Sequence, residues 1–239
     1  MDGYDKLKPF GFPIHGAIDG YSRKILWLKV GTTNNNPNVI ASYFVECIEH
    51  YNFVPRLVRS DRGSENVVVG GIQRFLRRGF SDPNANQASF QYGTSTRNQR
   101  IEAWWSQFRK NRCNWWINFF KDWSDLNQFD LGIGFHKMCM HFCFMGLIQK
   151  ELDDVKYMWN NYRIRKVRNS ESPGGKPVVL FFAPHLSGGT DCSYSIRQSD
   201  IDLVNEYCEE TPFLGCTSEF LELASIIMQE KDIEYILRM

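Results

Sequence analysis

The sequence predicts an α/β protein in which a hairpin of two strands is followed by alternating helices and short strands. Residues 12–18 and 24–30 are rich in Ile, Leu, Trp and Val and flank a turn at residues 19–22, which is typical of an antiparallel hairpin. Apolar residues within 39–51 then recur at helical spacing. This order of elements favours a single α/β domain built on a mixed sheet.

Shorter patterns predict the remaining elements. Asp2 lies on a first strand that the start of the sequence cuts short, and Pro37 lies near a helix start, where proline is well tolerated. Further strands are predicted at residues 56–60, directly before Asp61, and at residues 89–92. Helices are predicted at residues 72–78, 93–110, 115–120 (aromatic and buried), 134–165 and from 199 onward. Residues 178–182 predict a strand or an extended segment.

Composition excludes several classes of protein. A hydrophobic fraction of 43% with 15% aromatic residues in 239 residues is typical of a folded chain with a sizeable core. No apolar run reaches the roughly 18 residues of a membrane span, so we expect no membrane partner. Seven cysteines without regular spacing argue against a disulfide framework and favour a reducing compartment.

Charge is distributed unevenly along the chain. Residues 1–168 contain 24 Lys and Arg against 15 Asp and Glu, whereas residues 169–239 contain 4 against 12. We therefore predict a basic core over residues 1–168 and an acidic C-terminal extension over residues 169–239. The basic core is typical of a protein with a polyanionic partner, although charge balance between two packed parts explains the same asymmetry.

Three carboxylates on different predicted elements could form one site. Asp2 lies on the first strand, Asp61 follows a strand, and Glu102 is the only acid in the cationic helix at residues 93–110. Mg²⁺ prefers oxygen ligands, and two such ions can activate the attacking oxygen and stabilise the leaving oxygen in phosphoryl transfer. A chain with 27 acidic residues offers many such triples. The spacing alone leaves open that Glu102 is a surface ion-pair partner.

Cationic and amide side chains near these acids are candidates for phosphate contacts. Asn98 and Arg109 lie four residues before and seven residues after Glu102, which places them on the same helical face. Arg62 follows Asp61 directly and could neutralise a phosphate. The same reasoning applies to a cluster formed by Arg74, Arg77 and Arg78. Ordinary solvated surface charge is the alternative for each of them.

One further cluster resembles a metal site by composition only. His136, Cys139, His141 and Cys143 alternate with Met and Phe. Their spacing does not place four ligands on one helical face, so we interpret the segment as a core helix and not as a zinc site.

Three blocks of the sequence resemble a known family. Residues 14–23, 60–66 and 95–102 resemble, in order and in spacing, the three motif blocks of integrase core domains of the retroviral and retrotransposon type. Residues 115–122 and 159–165 are also similar to transposon-derived integrase-core proteins of animal genomes. The resemblance implies a ribonuclease-H-like fold, a mixed five-stranded sheet flanked by helices, here with a truncated first strand and a C-terminal helical appendage.

The same resemblance implies a function and a site. Asp2, Asp61 and Glu102 match the catalytic, metal-binding triad, which holds two Mg²⁺ or Mn²⁺ ions for DNA 3′-end cleavage and strand transfer. The first aspartate of the family's triad lies on the first strand, so Asp2 matches it and Asp19 does not. Asp19 is predicted to cap the hairpin turn. The expected partner is DNA and the expected location is the nucleus. Formation of a homo-oligomer is left open.

Two other functions fit the same residues. Because the chain begins one residue before Asp2 and lacks the upstream zinc-binding domain common in the family, an inactive remnant that binds DNA or protein is the main alternative. A ribonuclease that acts on RNA–DNA hybrids within the same fold is the third. Giving the protein duplex and hybrid substrates in parallel distinguishes these activities.

Overall fold

A computed structural model describes residues 1–93, 99–166 and 172–233. Strands β1 (Asp2–Tyr4), β2 (Ile14–Ile18) and β3 (Ile25–Val30) form an antiparallel sheet in the order β1-β2-β3. The predicted first strand and hairpin are therefore confirmed.

The hairpin turn between β2 and β3 is held by Asp19. Its Oδ2 accepts hydrogen bonds from the Ser22 backbone N–H at 2.7 Å and from the Ser22 hydroxyl at 2.6 Å. A short carboxylate that satisfies nearby donors in this way is a common turn stabiliser. The predicted capping role of Asp19 is confirmed.

Helix α1 (Pro37–Tyr51) begins and ends as its sequence requires. The Asn36 side chain accepts from the Asn38 N–H at 3.0 Å, Pro37 occupies the first turn, and Asn52 ends the helix in the left-handed region with φ of 54°. Strands β4 (Val54–Pro55) and β5 (Val58–Ser60) follow.

A second pair of strands lies beyond the next helix. Helix α2 (Val67–Leu76) begins five residues before the predicted start, because a short turn at Ser64–Asn66 leads directly into it and its β-branched first residues do not look helical in sequence. Strand β6 (Phe90–Tyr92), which was predicted, pairs with β5 in parallel. The Met1 nitrogen donates to the Arg59 carbonyl at 2.9 Å, which brings β1 beside β5.

A long helical arm packs on one face of the sheet. It comprises α3 (Gln99–Phe108), a π-helical turn (Arg109–Cys113) and α4 (Asn114–Asp125), and a separate helix α5 (Gly134–Asn161) follows. The prediction that the aromatic run of α4 is buried is only half correct: Trp116 and Phe120 are buried, but Trp115 is 60% exposed. The π turn is the reason, because it shifts which face of α4 meets the core.

Apolar residues pack on both faces of the β1-β2-β3 sheet. Ile14 and Leu28 face a cluster formed with α3, α4 and α5. Ala17 and Trp27 face a second cluster formed with α1, α2 and a C-terminal helix. Side chains alternate between the two faces of a strand, so a sheet with helices on both sides needs apolar residues at successive positions. The layers are those of an α/β fold.

The C-terminal segment is helical and packs on the rest of the chain. It contains α6 (Pro177–Phe182), β7 (Ser193–Tyr194), α7 (Gln198–Asn205) and α8 (Ser218–Glu230). Strand β7 pairs with β4, and Ile201 of α7 is buried against α1. The prediction of a strand or an extended segment at residues 178–182 is wrong: Pro177 starts a helix there, and a short apolar run does not distinguish a strand from a buried helical turn.

None of the helices in the described part of the chain combines the length and the hydropathy that crossing a bilayer requires.

Candidate active site

Asp2 lies on β1, the strand at one edge of the β1-β2-β3 sheet. It pairs with Gly16 of β2, and its own strand approaches β5 through the Met1–Arg59 hydrogen bond. The carboxylate is half-buried, and its Oδ2 accepts a hydrogen bond from Trp105 Nε1 at 3.1 Å. The strand therefore presents this acid toward the helix that carries Glu102.

Asp61 follows β5 directly and is fixed by its own loop. Its Oδ1 accepts from the Gly63 N–H at 3.2 Å and from Asn66 Nδ2 at 3.0 Å. The Asn66 side chain is buried, and its Oδ1 has no partner among the described residues. The loop after β5 thus holds Asp61 at the end of the strand whose Arg59 carbonyl accepts from the Met1 nitrogen.

Glu102 lies in the first turn of α3 and is exposed. Four other residues of the same helix are buried, and they are Ile101, Trp104, Trp105 and Phe108. A carboxylate near a helix N-terminus is favoured by the helix dipole. The amphipathic pattern of α3 therefore fixes the helix on the sheet and leaves Glu102 at its solvent-facing rim.

Electrostatics indicate that the three predicted acids share one region. Burial raises the pKa of Asp2 to about 7, and the negative charges of Glu102 and then Asp61 contribute to the increase. The N-terminal ammonium group and the Trp105 N–H act in the opposite direction. A carboxylate whose pKa is raised by two neighbouring carboxylates is typical of a site that gains from a cation.

The donor chemistry of these residues fits a hard divalent cation, although their side chains do not close around one point. Within residues 1–93, 99–166 and 172–233, no three His, Cys, Asp or Glu side chains form a group that could hold a metal ion. The oxygen donors are carboxylates, which Mg²⁺ and Mn²⁺ prefer. The unpartnered Asn66 Oδ1 beside Asp61 adds one more oxygen to this region.

Comparison with known proteins adds the family. A family model described as an integrase core domain matches residues 1–187. This chain belongs to the integrase core domain family. No curated protein and no solved structure gave a match. Membership implies the ribonuclease-H-like α/β fold and places this integrase core among proteins of DNA integration, which bind DNA and generally use divalent metals.

Glu65 is an acid of this integrase core that was not selected from the sequence. Its Oε1 accepts from Asn66 Nδ2 at 2.6 Å, so one amide group holds both Glu65 and Asp61. Burial raises the pKa of Glu65, and the charges of Asp61 and Asp5 add to the increase. Its position inside the block at residues 60–66 was the available signal, but the shared amide is visible only in three dimensions.

The predicted phosphate contacts have different outcomes. Arg62 and Arg109 are exposed, and neither takes part in an ion pair within the described ranges. Asn98 lies outside the described residues.

The cluster of Arg74, Arg77 and Arg78 is not a phosphate-binding surface as a unit. Arg77 is fully buried, forms an ion pair with Asp82 and stacks on the Tyr194 ring, so it is inaccessible to a ligand. Arg78 forms an ion pair with Asp200 at 2.7 Å.

His141 has a structural role in α5, as predicted. Its ring is buried, with Nε2 at 2.9 Å from the Gly11 carbonyl and Nδ1 at 3.3 Å from the Gly215 carbonyl. The side chain thereby connects the β1–β2 loop with the segment before α8.

Proposed function

We propose that this chain is a metal-dependent polynucleotidyl transferase core that cuts and joins DNA ends, derived from a mobile element. Asp2, Asp61 and Glu102 are its catalytic, metal-binding carboxylates. The observation that supports this assignment is electrostatic: the charges of Glu102 and Asp61 both raise the pKa of Asp2, as expected if the three acids act together. Family membership supports the reaction class.

The proposal includes the architecture around the site. We take β3-β2-β1 and β5-β6 as two parts of one five-stranded mixed sheet, joined where Met1 donates to Arg59. Residues 1–168 are the catalytic core and residues 169–239 an acidic extension packed on it. The expected location is the nucleus, and self-association is part of the proposal.

Each side chain has a distinct role in this proposal. Two Mg²⁺ or Mn²⁺ ions held by Asp2, Asp61 and Glu102 would supply Lewis-acid activation of the attacking oxygen and stabilisation of the leaving oxygen. Asn66 orients Asp61 through its 3.0 Å hydrogen bond. Arg62 and Arg109 neutralise DNA phosphates beside the metal site, and Asn98 donates a hydrogen bond to a phosphate.

The test is cleavage and strand transfer on a labelled DNA end with Mg²⁺ or Mn²⁺. We expect Asp61→Asn and Glu102→Gln to reduce both reactions at least 100-fold, because each removes one metal-binding charge at nearly constant volume. Glu46→Gln is the matched control and should retain activity. Glu46 lies on α1, is exposed and forms an ion pair with Lys29 of β3. Full activity in Glu102→Gln would contradict the assigned role.

The alternative is a DNA- or protein-binding module without catalysis. The observation that favours it is the spread of the three carboxylates, which form no metal-holding group in the part of the chain described. DNA binding that weakens steeply with salt, together with no metal-dependent cleavage by the wild-type chain, would support this module and reject the enzyme.

A further inference from the structure

Trp105 connects the two elements that carry Asp2 and Glu102. It lies on α3 one turn after Glu102 and is only 3% exposed. Its Nε1 donates to Asp2 Oδ2 at 3.1 Å, and its ring stacks on Tyr4 with centroids 4.8 Å apart. One side chain therefore contacts β1 through both a polar and an apolar group.

The opposing strand is shaped to admit this indole. Gly16 lies opposite Asp2 in β2. A Cβ atom at Gly16 would lie 3.0 Å from Cη2 and 3.2 Å from Cζ2 of Trp105, which is closer than ordinary van der Waals contact. Absence of a side chain at this position lets the ring approach the strand closely, where its N–H reaches the carboxylate.

We propose that Trp105 is a positioning residue that orients the Asp2 carboxylate for cation binding and keeps the Glu102 helix in register with it. This inference rests on the proposed function of Asp2 and Glu102. The indole N–H donates to Oδ2 of Asp2, whereas Oδ1 of Asp2 accepts no hydrogen bond from any described residue. Oδ1 is therefore the oxygen that would be available to hold a cation.

A neutral donor is suited to this task. An Arg or Lys at the same place would orient the carboxylate but also neutralise it, and the carboxylate would then attract a cation less strongly. The indole N–H restricts rotation of the carboxylate without adding a charge. Groups that orient metal ligands in this way typically contribute a factor of about 10–100 to metal affinity.

The experiment compares three Trp→Phe variants of the full chain. Trp105→Phe keeps an aromatic ring and removes the N–H. Trp104→Phe changes a neighbour that is equally buried and whose indole makes no hydrogen bond among the described residues. Trp159→Phe removes an indole hydrogen bond elsewhere, to the Arg23 carbonyl at 2.7 Å. Mn²⁺ affinity is measured by calorimetry without DNA, and the Mn²⁺ concentration for half-maximal strand transfer is measured separately.

We expect Trp105→Phe to weaken Mn²⁺ binding about 10-fold or more and to raise the half-maximal Mn²⁺ concentration in parallel, with most of the activity restored at saturating Mn²⁺. Both control variants should bind Mn²⁺ within twofold of wild type. A loss of affinity in Trp159→Phe equal to that in Trp105→Phe would indicate a general packing effect and overturn the proposal.

Two other results separate this inference from the function on which it rests. If Asp61→Asn abolishes Mn²⁺ binding while Trp105→Phe binds within twofold of wild type, the positioning role is wrong and the proposed function stands. If the wild-type chain binds no Mn²⁺ and Asp61→Asn therefore changes nothing, both are wrong.

Discussion

His15 shows how a single buried group sets the response of the fold to acid. It is 1% exposed, its Nδ1 accepts from Trp27 Nε1 at 3.1 Å, and its Nε2 has no partner among the described residues. Burial, with a smaller contribution from the N-terminal ammonium group, lowers the pKa of His15 to about 3. The folded protein therefore keeps this imidazole neutral near pH 7 and in mildly acidic solution.

This gives a prediction for stability against pH. The unfolded chain binds a proton at His15 near pH 6.5, whereas the folded chain binds it near pH 3. The stability contributed by neutral His15 is therefore fully present above pH 6.5 and is lost as the pH falls from 6.5 toward 3. The contribution approaches about 1.4 kcal/mol per pH unit. Urea unfolding between pH 7 and pH 4 measures it. His15→Gln should flatten the dependence and His185→Gln, at an exposed site, should not; equal slopes in all three would contradict the prediction.

Among individual residues, the site residues marked by a local sequence pattern could be predicted, whereas those defined by contacts between distant parts of the chain could not. Asp61 ends a strand and Glu102 is the lone acid in a cationic helix, so both stand out in the chain. The link between Glu65 and Asp61 depends on the rotamer of Asn66. The contact between Trp105 and Asp2 joins residues 103 positions apart, and no local pattern encodes it.

At the level of elements, α5 covers the open edge of β3 with amide side chains. Asn160 Oδ1 accepts from the Ile25 N–H at 2.8 Å, and its Nδ2 donates to the Ile25 carbonyl at 2.9 Å. Gln149 bonds the Val30 N–H and the Leu28 carbonyl in the same manner. An uncovered strand edge is prone to pair with other chains, so these amides replace a neighbouring strand.

We predict that Asn160→Ala destabilises the protein by about 1–3 kcal/mol, because it leaves buried backbone groups of Ile25 without partners. The Ile25 amide should also exchange with solvent faster. Gln149 is less buried, so Gln149→Ala should cost less. Urea titration and hydrogen exchange measure both effects. An unchanged exchange rate at Ile25 in Asn160→Ala would show that the helix does not protect this edge.

Elements with long, regular patterns were predictable, whereas short ones were decided by their surroundings. The pattern of α1 extends over four turns with an Asn cap and a Pro at its start, so both bounds were close. Helix α6 has only six residues, rich in Val and Phe. Such a run suits a strand equally well, and packing against α5 decides the outcome.

For the whole molecule, the acidic C-terminal segment forms part of the same core as the basic remainder. Ile201 is buried in the cluster with α1 and α2, and β7 pairs with β4. The rings of Phe80 and Tyr194 stack on the buried Arg77 guanidinium. Opposite charges on the two parts of the chain thus accompany an apolar interface.

We therefore expect one cooperative unfolding transition. Ile201→Ala should lower the free energy of unfolding by about 2–4 kcal/mol, as reported by tryptophan fluorescence, because all seven tryptophans precede residue 160. Leu203→Ala, at an exposed position of the same helix, should change it by less than about 0.5 kcal/mol. A second transition at lower denaturant concentration that leaves tryptophan fluorescence unchanged would instead mean that residues 169–239 unfold separately.

The π-helical turn sets the rotational phase of everything after it in the arm. Phe108 and Cys113, the buried positions on either side of the turn, are five residues apart, and the next buried positions are Trp116 and Phe120. If the same five residues formed regular α-helix, α4 would be rotated by roughly 100°, so that Trp115 would face inward and Trp116 outward. The surface that α4 presents is thus set by five residues outside it, and deleting one of them should leave Trp116 and Phe120 buried, because Cys113 would then lie an ordinary four residues after Phe108.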